Sequence, residues 1–315
     1  MITRRSVRIK AMQYVYAYET SSQAPTASFE NLLEKSILSV KDQYLYLLLN
    51  LREVCNFVEK DARIKAAKHL KSEADKKFST KLLSNILVQY LNNDAEFRQE
   101  LNNANIHSLL EEDLVRSLYK KFTESEEYKA YVNNGSEFNM EEDQKIITFL
   151  LDYVLLEDES FTTSLEEHFT NWQDDAEFVV EAVHEVILKS KNSLKIHLEK
   201  GKLKEKFNEL KHFGIDLFRE TVQHKKEHQQ LIEPKLKNWE TDRLAVVDVI
   251  LIRMALAEFM YFPSIPVKVT INEYLDIAKE YSTPKSKDFI NGVLDALMKE
   301  LKEKNLLEKT GRGLL

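Results

Sequence analysis

The chain has 315 residues with 43% hydrophobic and 31% charged side chains, enough apolar material for a sizeable buried core. Its formal net charge of -7 argues against indiscriminate binding of polyanions but permits a local basic patch. Its single cysteine, Cys55, excludes an internal disulfide, and its 6 glycines and 5 prolines, set among much Leu, Lys and Glu, point to an all-α protein.

In chain order, residues 4–19 read as an amphipathic helix with Thr3 as its N-cap. Val7, Ala11, Tyr14, Val15 and Tyr18 share one face, and Arg5 and Tyr16 lie on a flank. Arg4, Arg5, Arg8 and Lys10 make this start basic, with no acid before Glu19. It lacks the apolar run and cleavage site of a signal peptide, and the stretch YLYLLLNL (44–51) is too short to span a bilayer, so the expected location is the cytoplasm. SSQAPTAS (21–28) reads as a loop. Residues 29–70 carry helical periodicity as one long helix or two, and KSEADKK (71–77) as a break. From 78 to 133 shorter helices alternate with NND, NNAN and ESEE, and VNNGSEFN (133–140) is the clearest turn cluster.

Further helices are expected near 140–156, 160–171 and 174–190. Between Glu137 and Glu185 acids crowd the chain and Lys145 is the one basic residue, whereas Lys189 to Lys211 is rich in lysine. Residues 203–232 read as a long helix stopping before Pro234. DRLAVVDVILIRMALAEFM (242–260) is apolar nearly all round and should be central. FPSIP (262–266) ends it, and residues 267–281 form the next helix. STP (282–284) stops and restarts the chain, with Ser282 or Thr283 as N-cap and Pro284 in the first turn. Residues 285–304 form the last helix, and the tail 304–315 is expected to be frayed. No strand pattern is visible. NWQDDAEFVVEAV (171–183) and NWETDRLAVVDVI (238–250) align without gaps at an offset of 67, either by chance or as a degenerate copy in which Val186 replaces Arg253.

Catalytic signatures are sparse. HKKEH (224–228) fits H-x-x-E-H, but no distinctive third metal ligand accompanies it, and a solvated lysine-rich face is the simpler reading. There is no P-loop and no G-x-G-x-x-G. No pair of carboxylates stands out as acid and base. The chain does not read as an enzyme, and no cofactor or metal is expected.

The ordered set R-R-x-x-R-x-x-A-x-Q-x-x-Y (4–16), Ile252 to Glu258, I-P-x-K-V-x-I-N-E (265–273), Ala278-Lys279 and F-I-N-G-V-L-D (289–295) resembles the NusB family of bacterial transcription antitermination factors. The resemblance covers about 1–20 and 205–303, leaving 21–204 as an inserted helical region. It implies packed helical bundles, no catalytic activity, binding of boxA-type single-stranded RNA, pairing with the small-subunit ribosomal protein NusE, and action on the RNA polymerase elongation complex. By position it implies RNA contacts at Arg4, Arg5, Arg8, Lys10, Tyr281, Lys285, Lys287 and Phe289, and contacts with NusE at Tyr16 and Asp248. For Tyr16, Tyr281 and Phe289 ordinary helix packing is an equal reading. Structural roles are expected for Arg253, paired with a buried acid for which Glu273 is the candidate, for Asn272 and Asn291 as hydrogen-bonded cross-links, and for Gly292 as a close-approach site. Alternative readings are a protein-binding scaffold without RNA affinity and a relative of the NusB-like appendage of an rRNA methyltransferase. The insertion would make a second protein contact, hold RNA or mask the site.

Overall fold

The computed structural model describes residues 3–21, 25–70, 78–134, 139–189, 202–236 and 245–314. Among them are fourteen α-helices and no strand. No described helix is long and apolar enough to cross a membrane. The expected break at 71–77, the centre of the turn cluster at 135–138, most of the lysine-rich stretch and residues 238–244 of the internal echo lie outside the described residues.

The chain divides into two compact units. One comprises Ser39–Glu205, with the first two residues, and the other Thr3–Leu38 with Lys206–Leu315. The second takes in more of the N-terminal region than the 1–20 expected for the core, because the boundary falls inside a single helix.

That helix is α2 (Thr26–Ala67), 42 residues long. Its later part is the spine of the Ser39–Glu205 unit. Leu45, Tyr46, Leu47, Leu48, Leu49, Val54, Cys55 and Val58 are all fully buried. Burial among these apolar neighbours holds the Cys55 thiol well above its ordinary pKa, so it stays protonated and packs as a small apolar group. Around the spine lie α3 (Ile86–Asn93), α4 (Ala95–Asn103), α5 (Glu112–Glu124), α6 (Glu126–Asn133), α7 (Met140–Phe149), a π-helical turn at Leu150–Leu155, α8 (Glu159–His168) and α9 (Trp172–Lys189). Polar ties specify their positions. Gln43 Nε2 donates to Asp175 at 2.9 Å, the Tyr46 and Ser164 hydroxyls meet at 3.1 Å, and Tyr46 stacks on Phe161.

The other unit opens with α1 (Arg4–Thr20). Thr3 caps it reciprocally: its hydroxyl accepts from Ser6 N–H, and the Ser6 hydroxyl accepts from Thr3 N–H. The C-terminal helices are α10 (Lys202–Gln223), α11 (Lys225–Leu236), α12 (Val246–Tyr261), α13 (Val267–Tyr281) and α14 (Ser286–Glu303). The expected single helix at 203–232 breaks at His224, and Pro234 sits inside α11 rather than ending it. Helix α12 is the centre of the unit. Eleven of its residues are buried, and it packs on α1, α11, α13 and α14. The restart after STP comes later than expected, with Lys285 in the N-cap position and Ser286 opening α14.

Gly214 of α10 is a close-approach glycine within a helix of this unit. A Cβ there would lie 2.7 Å from Val7 Cγ1 and 2.8 Å from Ile37 Cδ1. The tail is seated rather than frayed. Thr310 N–H donates to Pro263 O, the Lys309 ammonium donates to the Glu258 and Phe262 carbonyls, and Gly313 is pressed against the Pro263 carbonyl where no side chain would fit.

Candidate nucleic-acid interface

The basic start of α1 divides into an inner and an outer set. The capped first turn and the apolar face of Val7, Ala11 and Val15 dock α1 on α12, and that rotation carries Arg8 inward. Arg8 is 2% exposed. Its Nε and Nη2 clasp Glu258 of α12 at 2.9 and 2.8 Å, and its Nη1 lies 3.4 Å from Glu273. Phe213 and Tyr274 flank the guanidinium. Burial disfavours its charge, but the hydrogen bonds and charge of Glu258 outweigh that and raise its pKa. Glu258 also accepts from Thr270 Oγ1 at 2.6 Å and Tyr274 Oη at 3.3 Å, so four groups close one buried network. Lys10 is buried too, and its ammonium donates to Ser36 Oγ at 3.1 Å. Neither Arg8 nor Lys10 reaches solvent, so both expected RNA contacts are replaced by internal roles.

Arg4 and Arg5 form the outer set. Arg4 is half-exposed and pairs with an exposed Glu209 at 2.6 Å. Arg5 holds Glu273 through two nitrogens at 3.0 Å and Asp276 at 2.9 Å, with the Glu273 hydrogen bond the main reason its pKa is raised. Glu273 is therefore committed to the N-terminal arginines. The acid beside Arg253 is Glu19, at the end of α1, and Arg253 Nη2 also donates to the Thr221 carbonyl at 3.0 Å.

The corner between α13 and α14 is the other expected contact region. Lys285 and Lys287 are exposed and Tyr281 is half-buried. Phe289 is 4% exposed and belongs to the core, which removes it as a platform for a base. Asp248 is buried beneath the same corner, where it accepts from Ser282 Oγ at 2.5 Å and Ser286 Oγ at 2.7 Å. It ties the corner to the first turn of α12 and offers no surface to a partner. Tyr16 remains 44% exposed. Asn272 and Asn291 are exposed and cross-link no helices among the described residues, and a Cβ on Gly292 would meet nothing within 4 Å.

Of the expected RNA contacts, Arg4, Arg5, Lys285 and Lys287 remain accessible and Tyr281 is half-buried. Arg5 grips α13 at Asp276, five residues before Tyr281, a rise of roughly 7.5 Å along the helix. Sequence reasoning missed the burial of Arg8 and Lys10. A signal was present, since both fall within one turn of the apolar face they now share with Val7 and Ala11.

The H-x-x-E-H match is no metal centre. His224 is held by Glu220 and Glu227, while His228 is fully buried with neither ring nitrogen hydrogen-bonded. Burial, with the charge of Arg253 nearby, lowers its pKa to about 3. A site already facing a guanidinium repels a second cation.

Comparison with known proteins gives a consistent direction. The NusB family model matches residues 173–299. The chain is similar to the transcription antitermination protein NusB of Salinibacter ruber, 46% identical over 103 residues covering 33% of this chain and 64% of that protein. It is similar to that of Chloroherpeton thalassium, 43% over 105 residues (33% and 50%), and to that of Koribacter versatilis, 44% over 108 residues (33% and 74%). The chain thus spans less than two thirds of the first two relatives. No solved structure matches it.

Proposed function

The chain belongs to the NusB family, and from that premise we propose that it is an RNA-binding transcription antitermination factor without catalytic activity, working in the cytoplasm. The observation that carries the reading is its 44% identity, over 74% of the relative's length, to a protein named for that activity. Within the chain, the contact surface is the α13–α14 corner with the outer arginines of α1. Lys285 and Lys287 would meet phosphates, and the half-buried Tyr281 ring would take a splayed base. Arg4 and Arg5 would exchange carboxylates for phosphates. The Arg4–Glu209 pair is solvent-exposed on both sides, and such pairs contribute only about 0–1 kcal/mol, so a phosphate competes readily.

The RNA is of the boxA type, and the protein partner is NusE, with Tyr16 as the exposed contact on α1. The assembly would act on the RNA polymerase elongation complex. Filter binding of a short boxA RNA to the full chain, alone and with NusE, tests this at several salt concentrations. Specific binding that strengthens as salt falls is expected, because each neutralised phosphate releases counterions. Absence of RNA affinity in both conditions would leave a protein-binding scaffold.

A further inference from the structure

The Ser39–Glu205 unit carries an open groove along α9. Trp172, Ala176 and Val180 recur at four-residue spacing on one face, and Leu156 and Thr162 form the opposite wall, enclosing about 490 Å³. Trp172 is only 6% exposed, so its ring belongs to the floor, and the small Ala176 keeps the channel open above it. The row continues through His184 to Leu188, which is 58% exposed. From Trp172 to His184 is a rise of roughly 18 Å, the length of a helix of three turns.

The rim has one sign of charge. Glu177 and Glu181 line the groove, are exposed, and have no ion-pair partner among the described residues. Some acids of this unit have local partners, Glu141 with Lys145, Asp158 with Lys121, and Asp152 with His184 at 2.8 Å, whereas the two on the groove rim have none among the described residues. Lys145 is the one Lys or Arg between Glu137 and Glu185, and it is already engaged. Among the described residues no cation answers Glu177 or Glu181, so the rim presents open negative charge to a basic ligand. An apolar floor with an unanswered acidic rim suits an amphipathic helix and disfavours nucleic acid, whose phosphates the rim repels.

We propose that this groove docks a basic amphipathic helix of a partner protein, its apolar ridge on Trp172, Ala176 and Val180 and its flanking Lys or Arg side chains on Glu177 and Glu181. The groove belongs to the Ser39–Glu205 unit, and the proposal does not depend on the RNA surface proposed above.

The test is fluorescence anisotropy of a labelled 15-residue synthetic helical peptide titrated with the full chain. One peptide carries leucines at three- and four-residue spacing with lysine flanks, and its control has glutamate in place of every lysine. The lysine peptide should bind at least tenfold more tightly than the glutamate peptide. Glu177→Lys with Glu181→Lys should abolish that preference without lowering the melting temperature, since both side chains are exposed. Ala176→Phe, which fills the channel, should remove binding of the lysine peptide. Equal binding of the two peptides, or a preference that survives the double charge reversal, would overturn the proposal. The charge reversal decides the matter even if Ala176→Phe unfolds the protein.

Discussion

Arg8 shows how a surface-type residue becomes part of a core. Its five N–H donors match a carboxylate in a fixed fork, and Glu258 receives that fork while also accepting from Thr270 and Tyr274. Removing one member of such a pair leaves an uncompensated buried charge, which costs roughly 3–5 kcal/mol. Arg8→Ala should therefore shift urea unfolding by that amount, whereas Arg4→Ala, at an exposed pair, should stay within about 1 kcal/mol. Equal effects would mean that the two pairs are equally solvated. His228 supplies a second prediction at this scale. Its folded pKa of about 3 lies below the unfolded value of roughly 6.5, so between these limits the unfolded chain binds the extra proton and stability rises with pH. The loss from pH 7 to pH 5 should be about 2 kcal/mol larger in the wild type than in His228→Phe, read from urea midpoints. Identical pH slopes would place His228 in contact with solvent.

At the scale of elements, two glycines in helices should respond with opposite signs. Gly214→Ala gains helix propensity but drives a methyl group to within 2.8 Å of Val7 and Ile37, and overpacking of that kind typically costs about 1–3 kcal/mol. Ile37→Val, which removes the Cδ1 atom concerned, should restore part of the loss. Gly292→Ala meets open space and should stabilise by about 1 kcal/mol. Thermal melts of the variants check both, and a stabilised Gly214→Ala would contradict the packing of α1 and α2 against α10. The contrast also marks how far sequence reaches. The helices were legible because apolar periodicity survives without knowledge of partners, and the all-round apolar character of α12 announced a central position. The identity of contacts was not legible. Arg253 needed an acid, but Glu19 and Glu273 were both acids on helices adjoining α12, and only packing assigns Glu19 to Arg253 and Glu273 to Arg5. The Asp248 carboxylate was visible as a helix-start acid, whereas its hydroxyl partners come from a corner 34 and 38 residues later in the chain. Pro234 misled because a proline reads as a helix stop, whereas α11 runs through it to Leu236.

For the whole molecule, the division of charge matters more than its sum. The Ser39–Glu205 unit holds the acidic stretch, and the unit formed by Thr3–Leu38 and Lys206–Leu315 holds the remaining exposed cations of the proposed RNA surface. The expected core at 1–20 and 205–303 and the insertion at 21–204 are thus recast by α2, which contributes to both units. The central claim is that RNA meets the α13–α14 corner while Arg8 acts only through the fold. Filter binding of a boxA-type RNA to Lys285→Glu/Lys287→Glu, with urea unfolding in parallel, tests it most directly. The account predicts a shallower salt dependence and at least a tenfold loss of affinity, with unfolding unchanged because both lysines are exposed. Wild-type affinity and salt slope in that variant would contradict it.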